Sequence, residues 1–253
     1  MQQYYGDTPH FIGKTRKKKG KKPRYALAKT LIAIIFLSLA CVICFSFLPQ
    51  SKVISEGKTE IASKKWYFVK FYEAQEYAQA EIDSEKIREA GGSGYLLNDG
   101  KYNVMGAVYD SETDAQSVVE KQSEIAKIYT LTVPKITLQG EYDEQTLSAL
   151  SLYKSVYSEI SSALNDYDSG KSTDAVLWFT VEQAETKVLS VLSKTQAKEG
   201  RLESVVADYL EKTATALSID ESEDKNAVCS SVRHALCEIV YLRYKVSEIL
   251  TAK

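Results

Sequence analysis

From Thr30 to Leu48 every position is uncharged and most are apolar, a run of nineteen residues with no polar side (TLIAIIFLSLACVICFSFL). At 1.5 Å of helical rise per residue the run reaches about 28 Å, close to the roughly 30 Å of bilayer hydrocarbon. Residues 25–48 are therefore expected to cross a membrane as one helix. A polar stem (49–63) follows, and there the pattern changes.

Trp66 to Tyr72 (WYFVKFY) is aromatic and β-branched with a period of two, the signature of a strand. Glu73 to Ala90 is rich in Ala, Glu and Gln, with Tyr77, Ile82 and Ile87 as an apolar side, and reads as a helix closed by Gly91 and Gly92. Tyr95–Leu97 and Tyr102–Tyr109 read as strands joined by a hairpin turn at Asn98, Asp99 and Gly100, where Asp-Gly supplies the positive φ angles. Ser111, with Asp114 three residues on, is placed to cap a helix running to about Ala126. Ile128–Val133 (IYTLTV) completes the set as a last strand before Pro134. The order β-α-β-β-α-β predicts a four-stranded antiparallel sheet over 64–137 with two helices on one face and the other face open.

From Tyr142 the period becomes helical. Leu147, Leu150, Tyr153, Tyr157, Ile160 and Leu164 form one stripe, and Val176, Phe179, Ala184, Val188, Val191 and Leu192 a second. A third stripe uses Val205, Val206, Tyr209 and Leu210, and a fourth Val228, Val232, Leu236, Ile239, Val240, Val246 and Ile249. Four amphipathic helices joined by short breaks hide their apolar sides against one another, so an antiparallel bundle is expected over 141–253. The fold class is thus α+β: a transmembrane helix, a β-α-β-β-α-β domain, then a helical bundle.

Charge fixes the direction of the chain. Residues 1–48 hold nine Lys/Arg against one acid, Asp7, or +8, which leaves −10 for the remainder of a chain whose formal net charge is −2. Eight of the nine cations lie between Lys14 and Arg24, immediately before the apolar run. Such a cluster stays on the cytoplasmic side, held to anionic lipid by about 1 kcal/mol per charge. The tail (1–24) is then cytoplasmic and everything after Pro49 extracytoplasmic. A cleavable signal peptide fits less well, because the apolar run is long and ends Phe45-Ser46-Phe47-Leu48-Pro49 with no A-x-A site. The acidic remainder repels phosphate backbones, which argues against a nucleic-acid partner.

Cys229 and Cys237 fall in one expected helix, roughly 12 Å apart by helical rise, too far for a disulfide with each other. They read as small buried residues, with an intermolecular bridge as the alternative. No phosphate loop, G-x-S-x-G elbow or metal-ligand spacing is present, and the two histidines, His10 and His234, stand apart, so neither catalysis nor a cofactor is expected.

The segment from Trp66 to about Lys135 resembles a SPOR domain, the sporulation-related, peptidoglycan-binding module of bacterial envelope proteins. The resemblance is carried by the aromatic first strand, the Gly91-Gly92-Ser93-Gly94-Tyr95 turn, the Asp99-Gly100 hairpin, the Tyr102-Asn103-Val104 strand, and Val108-Tyr109-Asp110-Ser111 leading into Glu112-Thr113-Asp114-Ala115. It departs from the family pattern at Lys70, Tyr72, Ala107 and Val108. The resemblance implies binding of peptidoglycan glycan strands on the open sheet face, in division or sporulation.

Alternation along the strands assigns the residues of that face. Trp66, Phe68, Lys70 and Tyr72 share one side of the first strand, and Asn103, Met105 and Ala107 one side of the third. Tyr67, Val69 and Phe71, with Val104, Gly106 and Val108, form the more suitable core against the two helices. Trp66, Phe68, Lys70, Tyr72, Asn103 and Met105 are thus the candidate glycan-binding set. Alternatively, Trp66 and Phe68 pack against neighbouring segments, including the C-terminal helices. The corresponding alternative function is a scaffold that binds no sugar and offers its sheet face and helical bundle to an envelope protein.

Overall fold

The computed structural model describes residues 58–122, 125–139, 144–220, 222 and 224–252, and all of them belong to one compact unit. The cytoplasmic tail (1–24), the membrane span (25–48) and the stem as far as residue 57 lie outside the described residues. No helix among the described residues is long and apolar enough to cross a membrane.

The chain runs β1 (Lys58–Ile61), β2 (Lys64–Ala74), α1 (Tyr77–Glu89), β3 (Tyr95–Asn98), β4 (Tyr102–Tyr109), α2 (Glu112–Lys121), β5 (Lys127–Val133) and β6 (Ile136–Gln139). It continues as α3 (Glu144–Ala149), α4 (Leu152–Asp168), α5 (Asp174–Gln196), α6 (Arg201–Leu217) and α7 (Lys225–Thr251). The fold is α+β and mostly helical, with antiparallel sheets. The four-stranded sheet has the order β3-β4-β2-β5. β1 and β6 form a separate two-stranded ladder, with Ile61 opposite Ile136, that prolongs the β2-β5 ladder past the Pro134 bend.

Local chemistry accounts for the sheet and its helices. The turn before β4 forms at Asn98–Lys101, with Gly100 at φ +105° and its N–H donating to Asn98 Oδ1. Ser111 caps α2 by accepting from the Asp114 N–H. α2 stops at Lys121, earlier than the expected Ala126. α1 starts at Tyr77, because β2 extends to Ala74, and it buries Ala80, Asp83, Ser84 and Ile87. Tyr77 and Ile82, expected on its apolar side, are exposed. Small residues at positions 80 and 84 let α1 settle closely enough for Ser84 Oγ to donate to the Gly94 carbonyl.

The helices α4 to α7 each pack on the next, and α7 returns to α4. The second stripe is phased differently from the expectation. Leu177, Val181, Ala184, Val188 and Leu192 face inward, while Val176 and Phe179 are exposed. In the run Val176-Leu177-Trp178-Phe179 every side of the helix is apolar, and only the phase that continues into Ala184 and Val188 meets the neighbours. The first stripe breaks between α3 and α4, where Ser151 and Lys154 make i→i+3 backbone bonds. There the buried Arg243 of α7 donates through Nε to the Leu150 carbonyl (2.8 Å), and burial lowers its pKa. Cys229 and Cys237 are both buried and unpaired in α7, and burial pushes the Cys237 thiol up to about 12.

The sheet does not stand apart from the helices. One hydrophobic cluster runs from Trp66, Phe68, Tyr95, Leu97, Met105, Leu131 and Val133 into the interior of the four long helices. α7 touches β3, β4, β5, β6 and α1. The glycine turn before β3 is stapled to it: Asn226 donates to the Glu89 carbonyl, Arg233 to Gly91 O, and His234 Nδ1 to Ser93 O (3.0 Å). Within that turn Gly94 sits at φ +55°, where a Cβ would lie 2.6 Å from Arg88 Cγ and 2.7 Å from the Ser84 carbonyl oxygen. Gly94→Ala is therefore expected to cost roughly 2–4 kcal/mol in urea unfolding, backbone strain plus overpacking. Gly100→Ala, at φ +105° with nothing within 4 Å, is expected to cost only the backbone part. Equal losses at the two positions would contradict this account of the turn.

Candidate functional site

The face of the sheet expected to be open is closed. Trp66, Phe68 and Met105 have no exposed surface. The Trp66 ring meets Tyr157 edge-on (4.5 Å between centroids) and Tyr153 (5.8 Å), both on α4, and Lys64 Nζ lies 4.3 Å from its centroid. Tyr157 OH donates to the Val108 carbonyl (2.8 Å), fastening α4 to β4, and burial raises its pKa far above the ordinary range. Aromatic and aliphatic side chains on the sheet found their partners on the bundle, which hides both surfaces at once.

The remaining members of the candidate set separate. Asn103 is buried and donates to the Asp99 carboxylate (2.9 Å) and the Lys101 carbonyl, so it holds the hairpin turn. Lys70 is half-buried, 2.9 Å from Glu73 and donating to Asn103 Oδ1. Lys101 and Lys70 together hold the Glu73 carboxyl down to about 2. Tyr72 lies on the opposite side of the sheet. The β2-β4 ladder shifts register twice, skipping Gly106 on β4 and Phe71 on β2, so each strand carries one extra residue and side-chain parity reverses beyond it. The same reversal sends Val108 to the bundle side, in the cluster with Met105, and leaves Ala107, which pairs with Val69, on the helix side. Gly106 is required there, because a Cβ would come within 2.3 Å of the Phe71 ring.

A concave surface of the unit lies on that other face. α1 and α2 stand apart over the sheet and leave a cleft of ≈ 700 Å³. Its floor is Val69, Phe71, Gly106, Ala107 and Tyr109. Tyr72, Lys86 and Ile87 form one wall; Asp114, Ser117, Val118 and Lys121 form the other. Asn165 and Asp168 of α4 with Arg233 of α7 close one end, where Arg233 is ion-paired with Asp168. Lys86 is paired with Asp83 (2.7 Å). Burial raises the pKa of Tyr109, with Arg233 pulling the other way. The volume falls within the range of small-ligand and peptide clefts, and an apolar floor with charged walls suits an amphipathic occupant.

Of the six candidate residues, Tyr72 alone borders this cleft. Of its floor, Val69, Phe71 and Gly106 were assigned from sequence to the covered core and Ala107 to the open face, and the detectable signal was composition: α1 and the ten-residue α2 carry too few large apolar residues to roof four strands. Among the described residues no group of three or more His, Cys, Asp or Glu is placed to hold a metal ion. Compared with protein-family models, with curated proteins and with solved structures, the chain matches none.

Proposed function

We propose that the chain is a membrane-anchored, extracytoplasmic scaffold of the cell envelope that docks a protein partner and holds no glycan on its sheet face. The anchor is residues 25–48 and the tail 1–24 rests on anionic lipid inside, so the α+β unit works outside. The observation that supports the scaffold reading over the glycan receptor is the burial of Trp66, Phe68 and Met105 beneath the bundle, which removes the aromatic plane a sugar ring would stack on. The surface we assign to partner recognition is the cleft between α1 and α2. Its apolar floor, with Asp114 and Lys121 two helical turns apart on one wall, fits an apolar segment carrying a basic group at one end and an acidic group at the other.

Pelleting residues 52–253 with purified cell-wall sacculi separates the two functions. The expected result is no co-sedimentation above an unrelated control domain, while wild-type protein retains an envelope protein from solubilised membranes that Ser117→Trp, which fills the cleft, does not. Saturable pelleting with sacculi would overturn the reading and restore the glycan receptor.

A further inference from the structure

The two edges of the four-stranded sheet are treated differently. β3 has four residues, and Tyr95 at its start is packed against His234 and Tyr241 of α7. β5 has seven residues, pairs with β2 on one side, and no described strand pairs with its other side. Its ladder with β2 runs from Lys64 opposite Val133 to Lys70 opposite Lys127 without a register shift, so the edge is regular. Ile128 to Val133 contains no charge, no Pro and no Gly, and Thr130 and Thr132 are exposed. Long, uncharged, unbulged edges are what natural sheets avoid unless the edge is used.

We propose that the outer edge of β5 pairs with β5 of a second copy of this chain, antiparallel about a two-fold axis at Thr130, joining two four-stranded sheets into one of eight strands. The strand is self-complementary in that register. Ile128 faces Thr132, Tyr129 faces Leu131, and Thr130 faces its own copy, giving β-branched and aromatic cross-strand pairs throughout. Lys127 falls opposite Val133, which keeps the two Lys127 side chains at opposite ends of the ladder, roughly 20 Å apart by strand rise. Apart from Lys127 at one end, the edge offers a charged strand of another protein nothing to select, whereas the isologous arrangement satisfies both copies alike. Seven residue pairs bury less than a standard interface, so the pairing is weak in free solution. Anchoring the chains in one membrane would raise their effective concentration and compensate. This inference is independent of the occupant of the cleft.

The test uses the full-length chain reconstituted in phospholipid vesicles at several copies per vesicle, with Cys41 and Cys44 replaced by Ser so that an introduced thiol reports alone beside the buried Cys229 and Cys237. Thr130→Cys is expected to form a covalent dimer under mild oxidation, because directly opposed Cα atoms in an antiparallel pair stand about 4.5–5.5 Å apart, within disulfide range. Thr132→Cys is expected to give none, its copies being offset by four residues, roughly 13 Å along the strand. In the chain with its native cysteines, Thr130→Lys sets two like charges face to face and is expected to raise the dimer dissociation constant at least about tenfold, read by energy transfer between labelled chains in the same vesicles. Absence of a covalent Thr130→Cys dimer, or equal cross-linking at positions 130 and 132, would overturn the proposal.

Discussion

Residues 58–139 produced without the C-terminal helices are expected to be unfolded or aggregated, although they contain every strand of the four-stranded sheet. Removing the helices bares Trp66, Phe68, Tyr95, Leu97, Met105, Leu131 and Val133, all buried in the cluster shared with the bundle. At roughly 1.5–3 kcal/mol for each large apolar side chain, the loss is on the order of 10–20 kcal/mol. Compactness of the unfolded chain trims that figure, yet it still equals or exceeds the ~5–15 kcal/mol by which a domain is stable. The staples from Asn226, Arg233 and His234 to the glycine turn are lost as well. Near-ultraviolet circular dichroism and amide dispersion would register the collapse. A cooperative melt of the fragment at the temperature of the longer chain would show that the sheet supports itself, and its exposed aromatic face would again be available to a sugar.

Trp66→Ala is expected to destabilise residues 52–253 by about 3–5 kcal/mol in urea unfolding. The ring is wholly buried between β2 and α4, with Tyr153 and Tyr157 against it, so the vacated volume cannot be refilled from solvent without exposing apolar walls. Lys64 also loses the ring beneath its ammonium group, a minor part because that charge stays paired with Asp110 (3.2 Å). A surface-binding tryptophan behaves oppositely: its removal spares stability and abolishes ligand binding. An unchanged urea midpoint in Trp66→Ala would therefore place the ring at the surface and refute the burial described above.

Much of the architecture was legible in the chain because its causes are local. The period-two run at Trp66–Tyr72, the Asp99-Gly100 turn and the Ser111 cap depend on neighbours a few residues away, and each appears where local chemistry puts it. The same holds for α6 and for α7 as far as Val246, whereas Ile249, expected on the α7 stripe, is exposed. Reading failed where two local solutions were equal. The apolar run at 176–179 has no phase of its own, and the bundle chose one. The β1-β6 ladder is four residues long and draws its stability from continuing the β2-β5 ladder, a long-range relation that no short window contains.

The candidate site failed for a related reason. Alternation correctly set Trp66 and Phe68 on the same side, but it carried Tyr72 to that side too, since the extra residues at Phe71 and Gly106 leave no mark in a hydrophobic pattern. Whether the aromatic side faces solvent or helices is a separate matter. An aromatic sheet face is equally suited to stacking on a sugar and to packing under a helix, and composition does not distinguish them.

Sequence alone determined the types and order of the elements from β2 to β5 and of the long helices α4 to α7, because propensity, capping and periodicity act over one or two turns. Tertiary structure decided which face of the sheet was covered, where parity reversed and where the cleft lies. Those outcomes depend on apolar surfaces far apart in the chain finding each other, and the free energy of that burial belongs to the pair of surfaces, not to either segment.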